Sequence, residues 1–183
     1  MQKEDLINAL LEELEFESLQ KPQRYIYHFE NEIDSETVQD LIDRLSEHSS
    51  IDLFFTTVGG SAHAMRILLH FINNHPDIKI YLTGYIASAG TFLFFECNKE
   101  IILCEDLDWI LFHLGDRQIE GSFRKTTLDY TILTEQLKEQ NDKWVSKYKE
   151  IGLNPKEIKR IVEGDDVVLY RKDFSRLKIN NLK

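Results

Sequence analysis

The chain has 183 residues, 42% of them hydrophobic and 30% charged, a length and composition that suit one soluble globular domain with a full core. A formal net charge of −10 speaks against non-specific nucleic-acid binding, and no run of about 18 uninterrupted apolar residues is present to span a membrane. Met1 is followed by Gln-Lys-Glu-Asp rather than a basic and then apolar leader, and the two cysteines, Cys97 and Cys104, give neither metal spacing nor a disulfide framework, so a reduced, cytoplasmic setting is expected.

Residues 3–19 are expected to form a helix, because Leu6, Ile7, Leu10, Leu11 and Leu14 recur at helical spacing among acids until Lys21-Pro22 breaks the pattern. Residues 1–22 are thus an N-terminal helical segment of the same domain. Arg24 to Phe29 reads as an aromatic-rich strand. Asp34 or Ser35 then caps a helix with Val38, Leu41, Ile42 and Leu45 on one face. Ile51 to Thr57 is a second strand, ending in Val58-Gly59-Gly60-Ser61. A helix follows, with Ala64, Ile67, Leu68, Phe71 and Ile72 on a shared face. Paired glycines let a backbone N–H approach a ligand with no Cβ in the way. The turn is not a phosphate loop, since no Gly-Lys-Ser/Thr follows. His63 and His70 lie seven apart on this helix, but no acid or cysteine stands ready to complete a metal site, and neither metal nor cofactor is expected.

A third strand, Ile78 to Leu82, runs into Gly84-Tyr85-Ile86-Ala87-Ser88-Ala89-Gly90, a tight turn of small residues with one serine in its middle. A helix is expected from Ala89 to about Cys97. Ser88 then sits at a helix start, where unpaired N–H groups can hold an oxyanion; the alternative is a plain N-cap. Glu100 to Cys104 and Trp109 to Phe112 are short apolar strands. His113 closes the second, just before Leu114-Gly115, and so faces a loop rather than the core.

Residues 116–124 are polar and read as a loop or irregular strand. A long helix spans Lys125 to about Glu150, with Leu128, Ile132, Leu133, Leu137, Trp144 and Tyr148 as its apolar positions. Its length suggests that Leu133, Leu137, Trp144 and Tyr148 meet a partner subunit. Asn154 caps a short helix with Pro155 at its first position, ending near Glu163-Gly164. Asp165 to Leu169 turns into a strand, a last helix covers about Arg171 to Leu177, and residues 178–183 form a polar tail.

Strand, Gly-Gly turn, helix, strand, Ser turn, helix, strands and His make up repeated β-β-α units. From about Arg24 to Ile179 the chain resembles the Clp protease proteolytic subunit, a serine peptidase of the Clp/crotonase fold. The resemblance rests on Val58-Gly59-Gly60-Ser61, Gly84-Tyr85-Ile86-Ala87-Ser88-Ala89-Gly90 and Ile110-Leu111-Phe112-His113, in that order, with 25 residues from Ser88 to His113. It implies an α/β fold with residues 116–150 as a protruding handle. It also implies Ser88 as nucleophile, His113 as general base, and the N–H groups of Gly60 and Ala89 as an oxyanion hole. The third member is an acid at Asp166, in register with Val167-Val168-Leu169, or at Asp165 one residue earlier. A ring-shaped homo-oligomer (a heptamer or double ring), a peptide or unfolded-protein substrate and an ATPase unfoldase partner are implied in the same way. The chain departs from the family at Val58, where a proline is usual, in bulkier residues between Ser88 and Phe94, and at Leu177 to Asn181, where the family is glycine-rich. Its N-terminal segment is unlike the family's axial pore loop.

The expected chemistry is acyl transfer to serine, since a hydroxyl becomes a competent nucleophile once a histidine in hydrogen-bond reach takes its proton. Two other readings stand beside it: a crotonase-like acyl-CoA enzyme that uses the oxyanion N–H groups without a Ser/His pair, and a Clp-like scaffold that assembles without cutting.

Overall fold

The structure is a computed structural model that describes residues 24–115 and 127–179, with the backbone alone over 127–133. The helix expected at 3–19, the loop at 116–124 and the end of the polar tail lie outside the described residues. Three strands carry a near-strict alternation of covered and uncovered side chains: β1 (Tyr25–Glu30), β2 (Ser50–Thr57) and β3 (Asp77–Ala87). They pair in parallel, Tyr25 opposite Ile51 and Ile51 opposite Ile78. Parallel neighbours need crossovers, which α1 (Ser35–Leu45) and α2 (Ala62–Asn74) supply. The cap of α1 is Asp34, whose carboxylate accepts from the N–H groups of Glu36 and Thr37 while the Thr37 hydroxyl answers the Asp34 N–H. Val38, Leu41 and Leu45 of α1 and Ala64, Met65, Leu68 and Ile72 of α2 are buried in one core with Ile51, Leu53, Phe55, Ile80 and Leu82 of the sheet. On the other sheet face the rings of His28, Phe54 and Tyr81 stack in a row at 4.7 Å spacings.

Among the described residues the remaining strands are β4 (Ile101–Leu103), β5 (Trp109–Phe112) and β6 (Val167–Tyr170), giving one six-stranded sheet in the order β1-β2-β3-β5-β6, with β4 also on β3. β3 changes neighbours along its length: Ile80–Leu82 pair with β4, and Tyr85–Ala87 pair with β5. The change falls at Gly84, which has φ +56 and whose would-be Cβ lies 3.2 Å from Thr56. Here β2 advances from Phe55 to Thr57 while β3 advances from Leu82 to Ile86, a bulge filled by the Thr56 hydroxyl, which donates to the Thr83 carbonyl and pairs with the Thr83 hydroxyl. The apolar run expected to end in a turn at Gly84 therefore continues as strand to Ala87; glycine permits a bend without ending the ladder.

After β3 come a 3₁₀ segment (Ser88–Phe92) and a single α-turn, α3 (Leu93–Glu96), in place of the continuous helix expected from Ala89 to Cys97. The Thr91 hydroxyl donates to the Ser88 carbonyl at 2.6 Å, and Gly90 sits so close to Thr57 that a Cβ would lie 2.5 Å from its methyl. Those contacts hold the turn tight against β2 and favour the narrower helix. The long helix is α4 (Thr127–Glu150), followed by α5 (Pro155–Val162) with the expected Asn154 cap, then β6, antiparallel to β5, and a 3₁₀ segment, Arg171–Arg176, where the last helix was expected.

Trp144 and Tyr148 of α4 are 7% and 1% exposed within this one chain, which corrects the expectation that they meet a partner. Trp144 packs edge-on against Phe92, and Tyr148 against Phe112. The apolar stripe of α4 turns inward at its C-terminal half, so its length alone does not measure an interface.

Candidate active site

Ser88 is the only non-glycine residue of positive φ among the described residues, at +52. A side chain in that left-handed region costs roughly 1–2 kcal/mol and persists where the surroundings over-determine it. The surroundings here are the end of β3, the Thr91 bond to the Ser88 carbonyl, and Gly59, whose would-be Cβ lies 2.5 Å from the Ser88 Cβ. Glycine at 59 (φ +98) is what lets the two turns touch. The sharp exit from the strand carries the Ser88 side chain to the His113 ring, with Oγ 2.5 Å from Nε2.

His113 follows the last residue of β5. Its backbone carbonyl accepts from the Tyr148 hydroxyl at 2.9 Å. Burial pushes that hydroxyl up to about 12, against the opposing pull of a hydrogen bond with the Thr91 side chain, so it is a neutral donor across the physiological range. On the other side of the ring, Nδ1 lies 3.6 Å from Oδ1 of Asp166, a carboxylate that is 61% exposed. Asp165 points elsewhere, with its carboxylate 3.5 Å from Arg160 Nε, and Arg160 also donates to the Asp166 carbonyl at 2.9 Å. The geometry thus puts Asp166, and not its neighbour, next to His113, as alternation along an extended segment requires.

Gly60 (φ +134) bridges Ile33 through the atoms beside it. The Ile33 N–H donates to the Gly59 carbonyl, and the Ser61 N–H donates to the Ile33 carbonyl, each at 2.7 Å. The Gly60 N–H therefore faces away from Ile33. Gly60 and Ala89 line one cleft of about 500 Å³ with Ser88 and His113, and Ala89 stands in the first turn of the 3₁₀ segment, where N–H groups have no partner inside the helix. The opposite wall of the cleft is α4, through Leu137, Gln140 and Trp144.

Reasoning from sequence missed three things here. Tyr148 was expected at an interface, yet its hydroxyl anchors the His113 backbone. Arg66 and His63, which also line the cleft, carried no motif. Exposed polar positions on an otherwise amphipathic helix, as both are, give no signal of what lies across from them. Among the described residues no group of three or more His, Cys, Asp or Glu is arranged to hold a metal ion, and no helix is long and apolar enough to cross a membrane.

No family model matches the chain, and no curated protein matches it by sequence. Its structure superposes on the ClpP1 N165D mutant from Listeria monocytogenes with a TM-score of 0.61 and 18% identity, covering 86% of this chain and 89% of that one. The class is therefore a mixed α/β protein with helices packed on a twisted sheet. Within that class the fold is similar to that of ClpP; at 18% identity the likeness speaks to fold alone.

Proposed function

We propose that the chain is a serine endopeptidase that hydrolyses peptide bonds in peptides or unfolded proteins. The observation that carries this reading is the 2.5 Å contact between Ser88 Oγ and His113 Nε2 at a strained strand-to-turn junction. With Nε2 accepting from the Ser88 hydroxyl, Nδ1 carries the ring proton and turns it toward Asp166. Ser88 Oγ attacks the carbonyl carbon as His113 takes its proton. The Gly60 and Ala89 N–H groups receive the charge that builds on the carbonyl oxygen. Collapse breaks the C–N bond, His113 returns the proton to the leaving amine, and water repeats the sequence on the acyl-Ser88 intermediate. Asp166 stabilises the imidazolium. Its 3.6 Å separation has to close by about 0.8 Å to make an ordinary ~2.8 Å charge-assisted bond, a tightening common when substrate binds.

The test is labelling by a fluorophosphonate serine probe. Modification at Ser88, absent in Ser88→Ala, supports the peptidase. A chain that stays unlabelled while folded favours the scaffold or the crotonase-like reading. Resemblance to Clp proteolytic subunits further supports a ring-shaped homo-oligomer and an ATPase unfoldase partner. Sedimentation at micromolar concentration tests the ring, and a fully active monomer overturns that part.

A further inference from the structure

The walls of the cleft differ in charge from the chain as a whole. The chain as a whole has 32 acidic and 22 basic residues. Yet the described residues that line the cleft include Arg66, His63 and His113 and no aspartate or glutamate. His63 and Arg66 are exposed and three apart in the first turns of α2, so they stand side by side on one helix face. The first turn of α2 has no acidic residue, although that is where helices commonly place one, so the positive end of the helix is left uncompensated beside the cleft.

Arg66 is held rather than waving. Its guanidinium lies 5.4 Å from the centre of the Phe92 ring. Among the described residues its one carboxylate contact is Glu96, at 3.8 Å from Nε, with the two side chains 48% and 33% exposed. A contact of that length and exposure is weak, and the two terminal nitrogens of the fork keep their donors. Phe92 belongs to the same 3₁₀ segment as Ser88, so the turn that places the serine also places the cation.

We infer that this cleft selects peptides with an acidic side chain at or beside the scissile bond, and that Arg66 is the residue that selects them. This rests on the peptidase reading for its meaning in turnover, but the selection itself is a property of binding. Net charge works in the opposite direction: at −10 the protein repels acidic peptides at long range, so a preference for them has to be local.

The experiment measures binding of three short peptides, identical except for Glu, Gln or Lys at one position, to the Ser88→Ala chain, whose chemistry is blocked. The position is moved through the residues that flank the site of attack. For at least one position the Glu peptide binds roughly fivefold more tightly than the Gln peptide, the scale of one exposed charge pair. The difference shrinks in about 0.5 M salt and disappears when Arg66→Gln is added. Equal binding of Glu and Gln peptides at every position, tighter binding of the Lys peptide, no measurable binding of any of the three, or a Glu preference that survives Arg66→Gln overturns the inference. Turnover by the unaltered chain is read separately. A chain that prefers the Glu peptide but cleaves nothing keeps the selective cleft and loses the peptidase.

Discussion

The Tyr148 hydroxyl donates to the His113 backbone carbonyl at 2.9 Å. One buried phenol from α4 thus holds the segment that carries the histidine, while the Thr91 hydroxyl, donating to the Ser88 carbonyl, holds the turn that carries the serine. Tyr148→Phe keeps the ring packing and removes only this tie. The expected result is a fall in kcat of roughly tenfold with KM little changed, and a stability loss of about 1 kcal/mol in urea unfolding. An unchanged kcat shows that the His113 segment holds itself.

Tyr148 also sets a stability limit at high pH. Its folded pKa of about 12 lies above the ordinary value of 10. Between those values the unfolded chain loses the proton and the folded chain keeps it, so stability is full below pH 10 and falls as pH rises toward 12. The loss from this group is roughly 2–3 kcal/mol. Unfolding midpoints measured across that window should fall less steeply for Tyr148→Phe than for the unaltered chain.

Ser88 sets stability against reactivity. Ser88→Ala should lower peptide turnover by roughly 10³-fold or more and abolish probe labelling. Ser88→Gly should do the same and also raise stability by roughly 1 kcal/mol, since glycine adopts φ +52 without steric cost. A glycine variant less stable than the alanine variant shows that the junction is not strained.

For the acids, Asp166→Asn is expected to lower turnover by at least about tenfold, and Asp165→Asn to leave it within about twofold, because only Asp166 lies beside His113. The reverse order of damage moves the assignment to Asp165.

Trp144→Ala is now expected to act on the fold. Removing a side chain that is 7% exposed and packed on Phe92 and Gly115 should cost roughly 3–5 kcal/mol, seen as a lowered urea midpoint in dilute protein. A variant that unfolds at the unaltered midpoint but sediments as a smaller species restores the interface role.

Much of this was legible in the sequence, and the rest failed for identifiable reasons. Asp34, and Asn154 with Pro155, announce their helices because capping is local chemistry, decided within three or four residues. The order of Gly60, Ser88 and His113 along three strand ends is enough to suggest a common cleft. Apolar periodicity says that Trp144 and Tyr148 are covered but not by what, and so the choice between neighbour and own core was beyond it. Gly84 reads the same whether a strand stops or bends, since both uses need only its permissive φ. Asp165 and Asp166 are equivalent until β6 is paired and the alternation of side chains acquires a direction.

The bend in β3 has a consequence for the order in which the molecule is made. Among the described residues β3 pairs with β2 on both sides of the bend, with β4 before it and with β5 after it. A chain emerging from synthesis can complete β1 to β4 before β5 exists, and Ser88 is already present at the end of that platform. His113 and Asp166 arrive only with the second half, which contributes two antiparallel strands and cannot make a stable sheet without the free edge of β3. Ser88 is thus synthesised before its histidine partner, and the contact between them is among the last to form. On the peptidase reading, a nascent or half-folded copy cannot cut its neighbours.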